Sequence, residues 1–260
     1  SDTVSANGAV ISRTYEYVNG NVENTDTLTE KVERIVYSDG TVLKYEYDAL
    51  DRIVAISAGT TDSNSYAAKE AYVYDIHGRL VRNDSADINK TFVYEYDNNG
   101  NILSKKEYAY TTGNITQSTP LSTVNYTYTD SVWKDKMTSY NGTAITYDDT
   151  GNPLSYRNGL AFGWCGRNMT SLTNGTTSAS YEYNEDGIRL SKTVNGVTTA
   201  FVLDGRNIAA NAKLTDNGVE YVYFYYDAAG TLVGMNYRGN DYLYKKNLQG
   251  DIVEIWGTED

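Results

Sequence analysis

The chain has 260 residues, a formal charge of -12 and 26 tyrosines, about one residue in ten. Acidity on that scale repels phosphate backbones and anionic lipid, which argues against a nucleic-acid partner or a membrane-surface role. With Cys165 as its single cysteine the chain forms no intrachain disulfide, and no apolar run reaches the ~20 residues of a spanning helix, so no membrane insertion is expected.

The N-terminal Ser1-Asp2-Thr3 carries neither a basic region nor an apolar stretch, so no signal peptide is read there. Tyr15/Tyr17 is the first, degenerate trace of a repeat whose unit is aromatic-x-Tyr-Asp-x-x-Gly. Full copies follow at Tyr45-Glu46-Tyr47-Asp48, Tyr72-Val73-Tyr74-Asp75 and Tyr94-Glu95-Tyr96-Asp97. A weaker copy has Thr129 in the Asp slot. The unit then returns at Ile145-Thr146-Tyr147-Asp148, Tyr181-Glu182-Tyr183-Asn184 and Phe224-Tyr225-Tyr226-Asp227, with Tyr242/Tyr244 as a last degenerate trace. Copies recur every ~30 residues, the scale on which one supersecondary unit stacks on the next.

Each copy reads as a hairpin. Tyr-x-Tyr alternates with the period of a strand, so both rings leave one face. Asp opens a turn by accepting backbone hydrogen bonds, and the glycine three residues on (Gly78, Gly100, Gly151, Gly187, Gly230) suits a left-handed position before the return strand. This register sets Asp75 opposite Arg79 and Tyr74 opposite Leu80, Asp48 opposite Arg52 and Tyr47 opposite Ile53. Asp51 stands where the first copy should have glycine, and a looser turn is expected there. Asp39-Gly40, Asn141-Gly142, Asn158-Gly159, Asn174-Gly175, Asn195-Gly196, Asn217-Gly218 and Gly239-Asn240 read as two-residue hairpin turns. Residues 60–71 and 111–122 read as long loops. The expectation is an all-β antiparallel meander, a single array over 1–260 with turns near 48, 75, 97, 129, 148, 184 and 227, its tyrosine rings packed as a ladder between hairpins.

Candidate chemistry is sparse. Cys165 and the single histidine, His77, sit in no nucleophile signature, and one of each is too few for a zinc site. The stretches 97–101 and 148–152 resemble oxygen-ligand loops only faintly, and turn formation already explains their Asp and Gly. With 34 acidic residues a pair at glycosidase spacing is inevitable and carries no weight. No catalytic residue, metal or cofactor is expected. Trp133, Trp164 and Trp256 are the candidates for stacking on a glycan, if their rings are exposed.

Taken together, the runs Tyr72-Val-Tyr-Asp-Ile-His-Gly-Arg-Leu80 and Tyr181-Glu-Tyr-Asn-Glu-Asp-Gly-Ile-Arg-Leu190 resemble the YD-repeat, or Rhs-repeat, family. The run Tyr242 to Ile252 is similar to the segment that opens the Rhs-associated core, so 242–260 is expected to be its truncated start. The resemblance implies a large secreted or surface-displayed bacterial protein, related to teneurins, whose sheet coils into a hollow shell around a C-terminal toxin domain. The implied partners are further repeats of the same polypeptide and that domain, or glycans if the module is an adhesin. Neither a self-cleavage region nor a toxin domain is read in this sequence, which is expected to be a stretch of a longer polypeptide.

Overall fold

A computed structural model of the chain describes residues 2–6, 9–22, 25–63 and 65–257, so the last three residues of the expected core-like stretch lie outside it. The described residues form twenty-three β-strands and one 3-10 turn, Arg157–Gly159, with no α-helix. One sheet runs from Asp2–Ala6 to Thr143–Ala144, the other from Ser155–Tyr156 to Ile252–Gly257. In both, strands adjacent in space are adjacent in sequence, so each sheet is an antiparallel meander.

The chain divides into two compact units. The first comprises residues 1–5, 9–126 and 245–254, and the second 6–8, 127–244 and 255–260. The first unit has a defined core of Val32, Ile35, Tyr37 and Tyr45, packed round by Tyr15, Leu43, Tyr47, Ile53, Ile56 and Leu248. Residues 245–254 are fastened to it by side chains more than 200 positions earlier. The Tyr37 hydroxyl donates to the Lys246 carbonyl at 2.7 Å, the Leu248 amide donates to the Tyr45 oxygen at 3.1 Å, and Lys245 pairs with Asp39 at 2.7 Å. The second unit buries less: Ile145, Ala179, Ala210, Leu243 and Tyr244 are its buried apolar residues. Two-sided sheets so rich in tyrosine hide half-polar rings rather than a dry core.

Turn chemistry fixes the register of the repeated hairpins. Tyr47 pairs with Ile53 and Tyr74 with Leu80, with a bulge at each tyrosine, and the amides of Asp48 and Asp75 donate to the carbonyls of Arg52 and Arg79. Several expectations need correction. Asp51 adopts φ 63° and donates to the Asp48 carbonyl at 3.0 Å, so the first turn is no looser than the others. The carboxylate of the weak copy is Asp130, one residue beyond Thr129, where it caps the amides of Val132 and Trp133. Gly40 closes a three-residue loop, 38–40, through a bond to the Tyr37 carbonyl. Asn174 starts a four-residue loop, because its side chain binds the amides of Thr176 and Thr177. Strand pairing centres two further turns one residue earlier than expected, on Asp216-Asn217 and on Arg238-Gly239. Strand Ala67–Tyr74 occupies half of the expected 60–71 loop, since its alanines pair with Ala55 and Ala58 whatever their turn propensity.

Candidate functional site

The feature that recurs is the turn itself. In the second copy one carboxylate oxygen of Asp75 accepts the amides of His77 and Arg79, both at 2.9 Å, and the other accepts Arg79 Nε at 2.6 Å. Asp48 does the same with Leu50 and Arg52. In Asp97 and Asp148 the side-chain donor is an amide, Asn101 or Asn152. Asn184 keeps the bond to the Ile188 amide, and Asp227 those to Ala229 and Thr231. The expected glycines sit at φ 75° to 93°, where a side chain would be strained. A seventh turn has no full motif in the sequence: Asn247 caps the Asp251 amide while Gly250 donates to its carbonyl. The copy is Tyr244-Lys245-Lys246-Asn247, so Lys246 fills the slot of the second tyrosine and hides the match.

Consecutive hairpins are joined by a second repeated device. The hydroxyl of the second tyrosine donates to a backbone carbonyl of the hairpin before it: Tyr74 to Ile53 at 3.0 Å, Tyr96 to Leu80 at 2.6 Å, Tyr226 to Ile208 at 3.0 Å. Tyr47, Tyr147 and Tyr183 make the same kind of bond to Val32, Met137 and Met169. The residue after the turn reaches forward. Arg79 donates to the Asp97 carbonyl at 2.8 Å with its guanidinium 4.8 Å from the Tyr96 ring centre, and Arg52 lies 4.5 Å from that of Tyr74.

This corrects the expected ring-on-ring ladder. Motif tyrosines of successive hairpins are two strands apart, roughly 10 Å, beyond the ~4.5–7 Å of a ring pair. The rungs are therefore phenol-to-carbonyl and arginine-over-ring contacts, and the first tyrosines (Tyr45, Tyr72, Tyr94, Tyr181) supply buried or half-buried area beside them. Tyr96→Phe should cost about 1 kcal/mol, the net worth of one such hydrogen bond, while Tyr17→Phe should cost almost nothing. Urea unfolding of the two variants checks this.

The carboxylates at 97 and 148 are occupied as turn acceptors. Among the described residues no group of three His, Cys, Asp or Glu side chains is placed to hold a metal. For Asp148, partial desolvation pushes the carboxyl up, but hydrogen bonds from Asn152 and Thr150 outweigh it and hold it at about 2. Lys136 and the amides of Trp133 and Val132 hold Asp130 at about 2 as well. A depressed carboxyl stabilises the fold above its unfolded value of ~3.9 and loses that contribution as pH falls toward 2. The second unit should therefore loosen between about pH 5 and 2, and Asp148→Asn should flatten that dependence. Amide exchange across the Asp148–Asn152 turn measures it.

The tryptophans are not gathered into a platform. Trp133 is 52% exposed, half-buried Trp164 donates to the Pro153 carbonyl at 2.7 Å, and Trp256 is half-buried. The ring pairs Tyr140–Tyr156, Phe162–Trp164 and Tyr221–Tyr223 bring no two tryptophans together. Cys165 is exposed in the second unit and His77 is exposed in the first.

No family model matches the chain. Over 126 residues, 46% of this chain, it is 32% identical to the tRNA3(Ser)-specific nuclease WapA of Bacillus spizizenii. It is also 32% identical over 126 residues to the tRNA nuclease WapA of Bacillus subtilis. In both cases the match spans 5% of the relative's length. In fold it is similar to a chain of the crystal structure of TcdB2-TccC3, with a TM-score of 0.64 at 16% identity over 96% of this chain and 14% of that one. With the Tyr-Asp turn rebuilt on one antiparallel hairpin after another, and six of these hairpins bound to the one before through the second tyrosine, the chain is an array of YD, or Rhs-type, repeats.

Proposed function

We propose that this array is a wall segment of a larger secreted or surface protein, whose repeats enclose or display a C-terminal polypeptide such as a toxin domain. The carrying observation is the repeated rung. In six hairpins the second tyrosine binds the preceding hairpin through a backbone carbonyl, an acceptor that any residue type supplies, so the same joint can extend the wall copy by copy. Such a wall acts sterically: a polypeptide behind it meets neither its target nor a protease. The matched relatives are nucleases by name, but the match takes in one-twentieth of their length, so this reading gives the segment a holding role and assigns catalysis to another part of the polypeptide.

Native digestion of the full parent polypeptide with a broad-specificity protease tests the reading. The downstream domain should outlast the same domain expressed alone, and should lose that protection when Asp75 and Asp97 are both changed to alanine. Equal digestion with and without the array would overturn it. A surface adhesin is the second reading, favoured by the exposed Trp133 and by the stacked Tyr221 and Tyr223 rings, 43% and 49% exposed. A glycan array probed with the chain and with Trp133→Ala and Tyr221→Ala variants separates the two, since a hit lost in either variant would support adhesion.

A further inference from the structure

The first unit contains a cavity of about 620 Å³, within the size range of small-molecule sites. Its wall joins strands near residues 37–72 to the returning stretch 245–254, all within that unit. Val42, Leu43 and Ile56 give it an aliphatic side, and the Tyr45 and Tyr72 rings an aromatic one. The charges of its lining do not cancel. Lys69 is matched by Asp87 at 2.6 Å, and Lys245 by Asp39 at 2.7 Å and Glu254 at 3.0 Å. Glu70 and Asp251 remain, with no lysine or arginine paired to either among the described residues. Glu70 accepts hydrogen bonds from Asn83 and Ser85, and Asp251 one from Asn247, which fixes both carboxylates while leaving acceptor capacity. Both bear on one phenol: burial first, then the charge of Glu70, with smaller contributions from Tyr74, Tyr45 and Asp251, raises Tyr72 to about 12. That hydroxyl has no hydrogen-bond partner among the described residues.

We propose that this cavity binds an aliphatic organic cation, its guanidinium or alkylammonium head held by Glu70, Asp251 and the Tyr72 ring and its stem against Leu43 and Ile56. A ring face and uncompensated carboxylates both attract a cation, and the partly desolvated wall strengthens that attraction. An anion would meet two uncompensated like charges, and a neutral molecule would forgo the ion pair.

Calorimetric titration of the intact chain with butylguanidine, butylurea and valerate tests this. Butylguanidine should bind saturably at one site, at least about tenfold more tightly than butylurea, its neutral isostere, with no binding of valerate. Asp251→Asn and Tyr72→Leu should each weaken butylguanidine several-fold, while Asp62→Asn, at an exposed loop carboxylate outside the lining, should leave it unchanged. Butylurea binding as well as butylguanidine, or no saturable butylguanidine binding, would overturn the proposal on the unaltered protein alone. An equal loss in Asp62→Asn would overturn it too, by showing general attraction to an acidic surface.

Discussion

Gly234→Val is expected to destabilise the second unit by roughly 2–4 kcal/mol, the upper range for forcing atoms into a closed space. Gly234 is buried and pairs with Leu243 across neighbouring strands. A Cβ there would stand 2.5 Å from the Tyr242 carbonyl oxygen and 3.3 Å from a Leu243 methyl. The carbonyl belongs to a ladder and cannot rotate away, so strands Leu232–Tyr237 and Asn240–Lys246 must part. Parting them exposes Leu243, 1% accessible in the fold, and loosens Asp241, which accepts bonds from Asn236 and Tyr225. Gly113→Ala is the control, because its added methyl meets only a hydroxyl at 3.4 Å, and it should stay within about 0.5 kcal/mol of the parent. Urea unfolding, with amide exchange read at Leu243, decides between them. A Gly234→Val protein as stable as the parent would mean that the two strands are not held at this spacing.

The contrast between Gly234 and the turn glycines shows which parts of this fold the sequence carries openly. A turn is a local agreement among five residues, so Asp75, Gly78 and Arg79 announce the hairpin and its register through residue type alone. The same locality kept Asp51 in place: an Asx-type carboxylate three residues earlier and an acidic residue tolerant of positive φ suffice without glycine. Asn-Gly pairs are more ambiguous, because the strands on either side choose which two residues cross over. Val219 pairing with Leu214 therefore moves one turn onto Asp216-Asn217. The tyrosine rungs were invisible for another reason. Their acceptors are backbone carbonyls, which leave no trace in residue type, and the ring spacing that a ladder would need is excluded only once the intervening strand is counted. The cavity was further out of reach, since Tyr72 and Asp251 lie 179 positions apart and meet only through the hidden Asn247 turn.

Tyr45 is where those levels converge, and its variants should separate them. Tyr45→Ala is expected to cost about 3–5 kcal/mol in the first unit, the range for deleting a buried aromatic ring. The ring is 1% exposed and packs with Val32, Ile35 and Tyr37. Tyr45→Phe keeps that packing and removes only the oxygen that accepts the Leu248 amide, leaving a donor without its partner at a cost of about 1–2 kcal/mol. The smaller loss should also be local: exchange at the Leu248 amide should quicken while Val42, in the strand ladder, keeps its protection. Burial raises the Tyr45 phenol above its ordinary value, more than the Leu248 bond lowers it. An acid held protonated by the fold contributes fully below its unfolded value of ~10 and loses that contribution as pH climbs past it. Alkaline unfolding should therefore begin above about pH 10 in the parent and shift upward in Tyr45→Phe once its lower neutral stability is allowed for. If phenylalanine proves as damaging as alanine, the ring's packing is not what holds this core. If alanine costs under about 1 kcal/mol, the returning turn is not seated on Tyr45 at all.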